Sequence, residues 1–223
     1  MFTGASPYSD VVDADFLFVL ILCTLVLIGL TGAMVYFVIR FNKKRHPYSV
    51  NIKGHVPLEV LWTAVPLGLF MYMFYLGWAG YEKISTIPED AIPLRVIARM
   101  WYWTFEYPNG VTTDTLFVPA KTDIRLTLHS LDVNHSMYIP AFRVKKDVIP
   151  NRENTMWFRT HAAESYDIAC AEYCGLRHSY MYTKVVAMDT AAFENWYQRV
   201  SAKQGKTYAP LIKDFNMPPD SRR

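Results

Sequence analysis

Two long stretches near the start of the chain show no polar period at all. Residues 16–39 read FLFVLILCTLVLIGLTGAMVYFVI and carry no charge. Those 24 residues can cross a hydrocarbon core of about 30 Å at about 1.5 Å per residue. Residues 60–81, VLWTAVPLGLFMYMFYLGWAGY, are also uncharged and hold Pro66, Gly68, Gly77 and Gly80. Proline and small residues are tolerated in spans, where neighbouring helices satisfy freed backbone groups. The pattern predicts a two-helix membrane anchor over residues 1–83.

From residue 84 the pattern changes to short alternating or β-rich runs. They occupy 94–107, 114–120, 123–131, 136–144, 154–161 and 182–188. Turn residues separate them, such as Pro108, Asn109 and Gly110, or Pro150 and Asn151. This spacing predicts an antiparallel sandwich or barrel over 84–205. Residues 190–203 predict a helix capped by Asp189 or Thr190, with Phe193, Trp196, Tyr197 and Val200 on one face. The tail, 206–223, holds Pro210, Pro218 and Pro219 and predicts irregular structure lying on a partner.

Charge adds a direction. The connector carries Arg40, Lys43, Lys44, Arg45 and Lys53, with no acid before Glu59. The segment ahead of the first span carries Asp10, Asp13 and Asp15. The positive-inside rule places the connector in the cytoplasm. Both termini and the β domain then lie on the periplasmic side of a bacterial inner membrane or its equivalent. No basic region precedes the first span, so a signal peptide is not expected. Net charge is +3, and there is no arginine-rich arm or Gly-rich phosphate loop, so no nucleic-acid partner is expected.

The chemistry sits at 170–181, read as C-x3-C-x3-H-x2-M: Cys170, Cys174, His178 and Met181. Two exported cysteines alone fit a disulfide as well as a metal. A thioether is a poor zinc ligand and a good copper ligand, so His178 and Met181 turn the reading to copper. Two thiolates on one loop can bridge two ions, which requires a second histidine. His129, His135 and His161 are the candidates outside the connector. Cys23, inside the first apolar run, reads as a small buried hydrophobe.

The run Asp132, Val133, Asn134, His135, Ser136, ending with Pro140 and Lys145, resembles the D-V-x-H-S-x-x-x-P-x-x-x-x-K stretch of cytochrome c oxidase subunit II. The 170–181 loop resembles that family's CuA loop, and 34 residues lie between His135 and Cys170, as that family's spacing expects. The resemblance runs from the first span to about residue 200, through LEVLWTAVP and MWYWTFEY. It implies a membrane hairpin followed by an all-β cupredoxin-like Greek-key barrel or sandwich with a C-terminal helix. It implies two copper ions bridged by Cys170 and Cys174, with His135 and His178 as terminal imidazoles and Met181 as a weak axial ligand. Glu172 would give its carbonyl to copper and its side chain to a magnesium ion bordering subunit I. Trp101 would receive electrons from a c-type cytochrome, with Glu106, Asp114, Asp132 and Asp147 offering negative charge to a basic donor. Glu59, in E-x-x-W-T with Trp62 and Thr63, would serve proton uptake by subunit I. Subunits I and III are the implied partners.

The chain departs from the family's usual pattern at Asn134, Asn151, Ile168 and Ala171, which surround the ligands without replacing them. The rivals are a quinol-oxidase subunit II, nitrous oxide reductase, a copper chaperone, and a disulfide-linked structural membrane protein. The retained ligand set argues against the first. The hairpin and short length argue against the second. A two-copper spectrum would separate the others.

Overall fold

The computed structural model describes residues 4–51 and 53–212. The tail expected to be irregular is described only as far as Ile212, and 213–223 lie outside the described residues. The chain divides into two units, Val11–Glu82 and Met1–Asp10 with Lys83–Arg223.

The first unit is a helical hairpin. Helix α1 spans Pro7–Arg40 and α2 spans Val56–Ser85, each longer than its apolar run. Both are apolar all round and have no buried face over the apolar windows, as expected of helices whose solvent is lipid. Phe18 meets Tyr72 edge-on, with ring centroids 5.5 Å apart. Cys23 is exposed on α1, not buried as its type suggested, because its surroundings would be lipid and not a protein core. Asn42 closes α1 by accepting the Lys44 and Arg45 amides at 3.0 and 3.2 Å.

The second unit is a sandwich of two five-stranded sheets. One sheet has the order β3-β2-β1-β5-β8, built from β1 Ile92–Arg99, β2 Tyr102–Glu106, β3 Thr112–Thr113, β5 Ile124–Ser130 and β8 Asn154–Phe158. The other has the order β4-β10-β9-β6-β7, built from β4 Leu116–Pro119, β6 His135–Ile139, β7 Val144–Val148, β9 Ser165–Cys170 and β10 Tyr182–Met188. The expectation of a purely antiparallel sheet fails at two ladders. β1 pairs with β5, and β10 with β4, in parallel. Period-two alternation drives the packing. Ile92, Leu94, Val96 and Ala98 of β1 point inward, as do Ile124, Leu126 and Leu128 of β5.

Several elements differ from the sequence reading, and β3 and β7 were not expected. The run 94–107 is two strands, folded back so that Arg99 faces Tyr102. The run 136–144 is cut at Pro140, which opens a 3-10 turn ending at Arg143 with φ 58°. Proline cannot donate to the ladder, so the strand stops there. β9 was not expected at all. Its SYDIAC sequence alternates, with Tyr166, Ile168 and Cys170 inward, but it runs straight into the cysteine loop with no turn residue to mark its end.

Helix α3 spans Thr190–Lys203, as read, with Asp189 at the N-cap position but no side-chain cap bond. Phe193 and Tyr197 are fully buried on its inner face. Residues 5–10 belong to the sandwich unit too. Ala5 accepts the His161 amide at 3.0 Å, and Asp10 pairs with His161 at 2.8 Å.

Candidate metal centre

The residues singled out for their chemistry gather at one end of the second sheet because three element ends meet there. His135 opens β6, Cys170 closes β9, and β10 begins after Met181. The ladder places Met137 opposite Cys170 and Tyr182 opposite Ala169. The loop between is held by its own backbone. The Cys170 amide donates to Met181 (3.2 Å), the Ala171 amide to Ser136 (2.8 Å), and the His178 amide to Gly175 (3.1 Å). Gly175 has φ 112°, a region L side chains rarely adopt, and an added Cβ would stand 3.4 Å from the Trp101 indole nitrogen.

The two cysteine sulfurs lie 3.8 Å apart as free thiols, so the disulfide reading fails. Cys170 Sγ is 3.9 Å from His135 Nδ1 and 3.2 Å from the Glu172 carbonyl oxygen. Cys174 Sγ is 3.6 Å from His178 Nδ1 and 3.8 Å from Met181 Sδ. His135, Cys170, Cys174 and Met181 are buried, while His178 is half-buried. His135, Cys170 and Cys174 stand close enough to hold a metal ion.

Of the three candidate second histidines, the fold selects His135. His161 is engaged with Asp10. His129 lies on β5 in the other sheet, its Nδ1 buried without a hydrogen bond.

Electrostatics in the thiol pair is split. Burial opposes ionisation of Cys170, yet hydrogen bonding from His135 and backbone amides outweighs it and brings the thiol down to about 6. Burial and the neighbouring Cys170 charge push Cys174 up to about 12. Burial opposes the charged form of His135, but Cys170 and Asp132 raise its pKa on balance.

Two tryptophans bracket the loop. Alternation left open which of Trp101 and Trp103 is exposed. Trp103 is buried, its indole N–H donating to the Met181 carbonyl at 3.3 Å. Trp101 lies in the β1–β2 turn, half-buried, and donates to the Cys174 carbonyl at 3.1 Å. Glu172 is exposed. Glu59 is not part of this cluster. It lies in the first turn of α2, in the hairpin unit, with its carbonyl accepting the Thr63 hydroxyl at 2.8 Å. Asp132, read as a docking charge, is partly exposed and also faces the site. It accepts from the His135 ring and from the Met100 and Val133 amides. No sequence signal marks the Met100 contact, which spans 32 positions.

Comparison with known proteins bears on this arrangement. Residues 1–75 match the family profile described as cytochrome c oxidase subunit II, transmembrane domain, and 111–188 match the periplasmic domain of the same subunit. Together they cover well over half of the chain.

The chain belongs to the cytochrome c oxidase subunit II family.

It is similar to cytochrome c oxidase subunit 2 of Cereibacter sphaeroides, 26% identical, with 92% of this chain and 80% of the relative aligned. Subunit 2 of Thermostichus vulcanus is 27% identical over 94% of this chain and 81% of its own length. The crystal structure of the periplasmic domain of subunit II of cytochrome oxidase from Bradyrhizobium japonicum superposes with a TM-score of 0.51 at 26% identity. It covers 53% of this chain and 99% of its own. The sandwich is thus cupredoxin-like, as the resemblance implied. As a subunit II family member, the chain is a two-span membrane protein and part of a haem-copper oxidase.

Proposed function

We propose that this chain accepts single electrons from a c-type cytochrome at a dinuclear copper centre, CuA, and passes them to haem in subunit I, where oxygen is reduced to water. The observation that carries the reading is two buried thiols side by side, each approached by a different imidazole, at 3.9 and 3.6 Å. With metal–thiolate bonds of about 2.3 Å, two sulfurs sharing an ion can stand up to about 4.6 Å apart. The observed separation of 3.8 Å fits that limit. The buried Met181 thioether favours copper over zinc. The proposed ligands are His135, Cys170, Cys174, His178, Met181 and the Glu172 carbonyl. Two coppers sharing the thiolates would supply a one-electron carrier.

The chain's own residues do the rest. Burial of His135, Cys170, Cys174 and Met181 excludes water and limits rearrangement between redox states. Trp101 links the surface to the Cys174 carbonyl and is the proposed point of electron arrival. Glu106, Asp114, Asp132 and Asp147 are the proposed charges for a basic donor. The exposed Glu172 side chain is proposed to hold magnesium at the border with subunit I, and Glu59 to feed protons to that subunit. Subunit III is a further proposed partner. The proposed layout is an anchor at 1–83, a periplasmic copper domain at 84–205 and a tail at 206–223, with both termini periplasmic.

Copper content and EPR of the purified chain in detergent test this reading. Two coppers per chain sharing one unpaired electron are expected. One copper per chain, or a native disulfide between Cys170 and Cys174, would overturn it.

A further inference from the structure

The carboxylate of Asp132 accepts three hydrogen bonds. Its Oδ1 takes the His135 ring N–H at 2.8 Å and the Val133 amide at 2.7 Å. Its Oδ2 takes the Met100 amide at 2.7 Å. An ionised carboxylate only accepts, so His135 carries its proton on Nε2. With Nε2 tied to the carboxylate, Nδ1 is the nitrogen that faces Cys170 Sγ and is left to bind a metal. Met100 is followed by Trp101, whose indole donates to the Cys174 carbonyl. One side chain therefore fastens the imidazole at the Cys170 side and the segment that touches the Cys174 side. The other imidazole is served differently. Among the described residues His178 meets the cysteine sulfurs and the Tyr173 ring, centroids 5.8 Å apart, and no carboxylate.

We propose that Asp132 is a positioning residue that makes the two ends of the centre unequal and holds Trp101 against the metal loop. This rests on the reading of the site as a dinuclear copper centre. An anionic acceptor behind an imidazole fixes its tautomer and strengthens its donation to metal. Charge-assisted bonds of this kind are the stronger ones. The effect stabilises the oxidised form and concentrates it on the His135 side, lowering the reduction potential. The same carboxylate stands in for turn chemistry that Met100 and Trp101 lack, and so sets where the indole lies.

The test compares the intact oxidase with its Asp132→Asn and Asp132→Glu variants. The readouts are reduction potential, copper hyperfine coupling in EPR, and the rate of electron uptake from a soluble c-type cytochrome. Asp132→Asn should keep two coppers, raise the potential, change the hyperfine pattern and slow uptake. Asp132→Glu, which keeps the charge, should return each value toward that of the unmodified enzyme. Copper lost from Asp132→Asn but kept by Asp132→Glu supports the same assignment. An unchanged potential and hyperfine pattern in Asp132→Asn overturns it. So does loss of copper from both variants, because retained charge would then rescue nothing. If the unmodified enzyme lacks a two-copper spectrum, the reading of the site fails instead, whatever the variants do.

Discussion

Cys174 Sγ has the most soft neighbours in the proposed centre: Cys170 at 3.8 Å, Met181 at 3.8 Å and His178 Nδ1 at 3.6 Å. A hydroxyl in its place is a harder donor with little affinity for copper. Cys174→Ser should therefore abolish the two-copper EPR signal and lower copper to one ion or fewer per chain. Far-UV circular dichroism and membrane insertion should stay unchanged, since the backbone bonds of the loop do not use this sulfur. A variant that keeps the two-copper spectrum would refute the bridging role. The ligand loop was legible in the sequence because C-x3-C-x3-H-x2-M packs its chemistry into twelve residues. His135 could be named only through resemblance, since three histidines were open. The clamp by Asp132 was not legible, because its Met100 donor is brought there by the parallel pairing of β1 with β5 and not by local pattern.

At the scale of elements, strands with a strong apolar alternation were legible, and turns held by tertiary contacts were not. β1 and β5 alternate and were found. The β1–β2 turn was missed because Met100 and Trp101 carry no glycine or proline. Asp132 and Cys174 hold that turn from outside. The packing of α3 onto the sandwich shows another such device. The Tyr107 hydroxyl donates to the Phe117 carbonyl at 2.8 Å and accepts the Phe117 amide at 3.0 Å, tying β4 to the end of β2. Tyr107→Phe leaves both groups without this partner and should cost about 1–3 kcal/mol, read as a lower denaturant midpoint with the copper spectrum intact. A midpoint equal to that of the unmodified protein would show that the hydroxyl holds nothing.

The same cluster makes the domain sensitive to alkali. Burial raises the Tyr107 and Tyr208 hydroxyls well above the usual tyrosine range, with Glu194 adding to the rise at Tyr208. Burial also pushes Tyr197 up to about 12. The folded state then holds these protons more tightly than the unfolded chain, whose tyrosines ionise near about 10. Their contribution to stability is complete below about pH 10 and is lost as pH rises toward the folded values. Tyrosinate absorbance and near-UV circular dichroism, followed together, should show these groups ionising as packing is lost. Full ionisation at about pH 10 with native packing retained would contradict the buried cluster.

At the scale of the whole molecule, two apolar helices with opposite charge at their ends decide which way the chain crosses the membrane. Leu25, Leu27 and Leu30 are each more than 60% exposed, which lipid tolerates and water does not. Arg40, Lys43, Lys44 and Arg45 lie together at the end of α1, whereas Asp10, Asp13 and Asp15 lie near its start. Moving such a basic cluster outward is opposed, which supports the proposed cytoplasmic connector. This much was legible from residue types alone, because span length and charge bias need no tertiary information. The proposed orientation would put the proposed copper loop where a soluble periplasmic cytochrome can reach it, and the proposed function depends on that. A cysteine at Lys44 should be shielded from a membrane-impermeant thiol reagent in intact cells and react only after permeabilisation. A cysteine at the exposed Lys203, past the inner face of α3, should react in intact cells. The reverse labelling pattern would place the thiol pair in the cytoplasm, out of reach of a periplasmic donor, and the proposed electron path would fall with it.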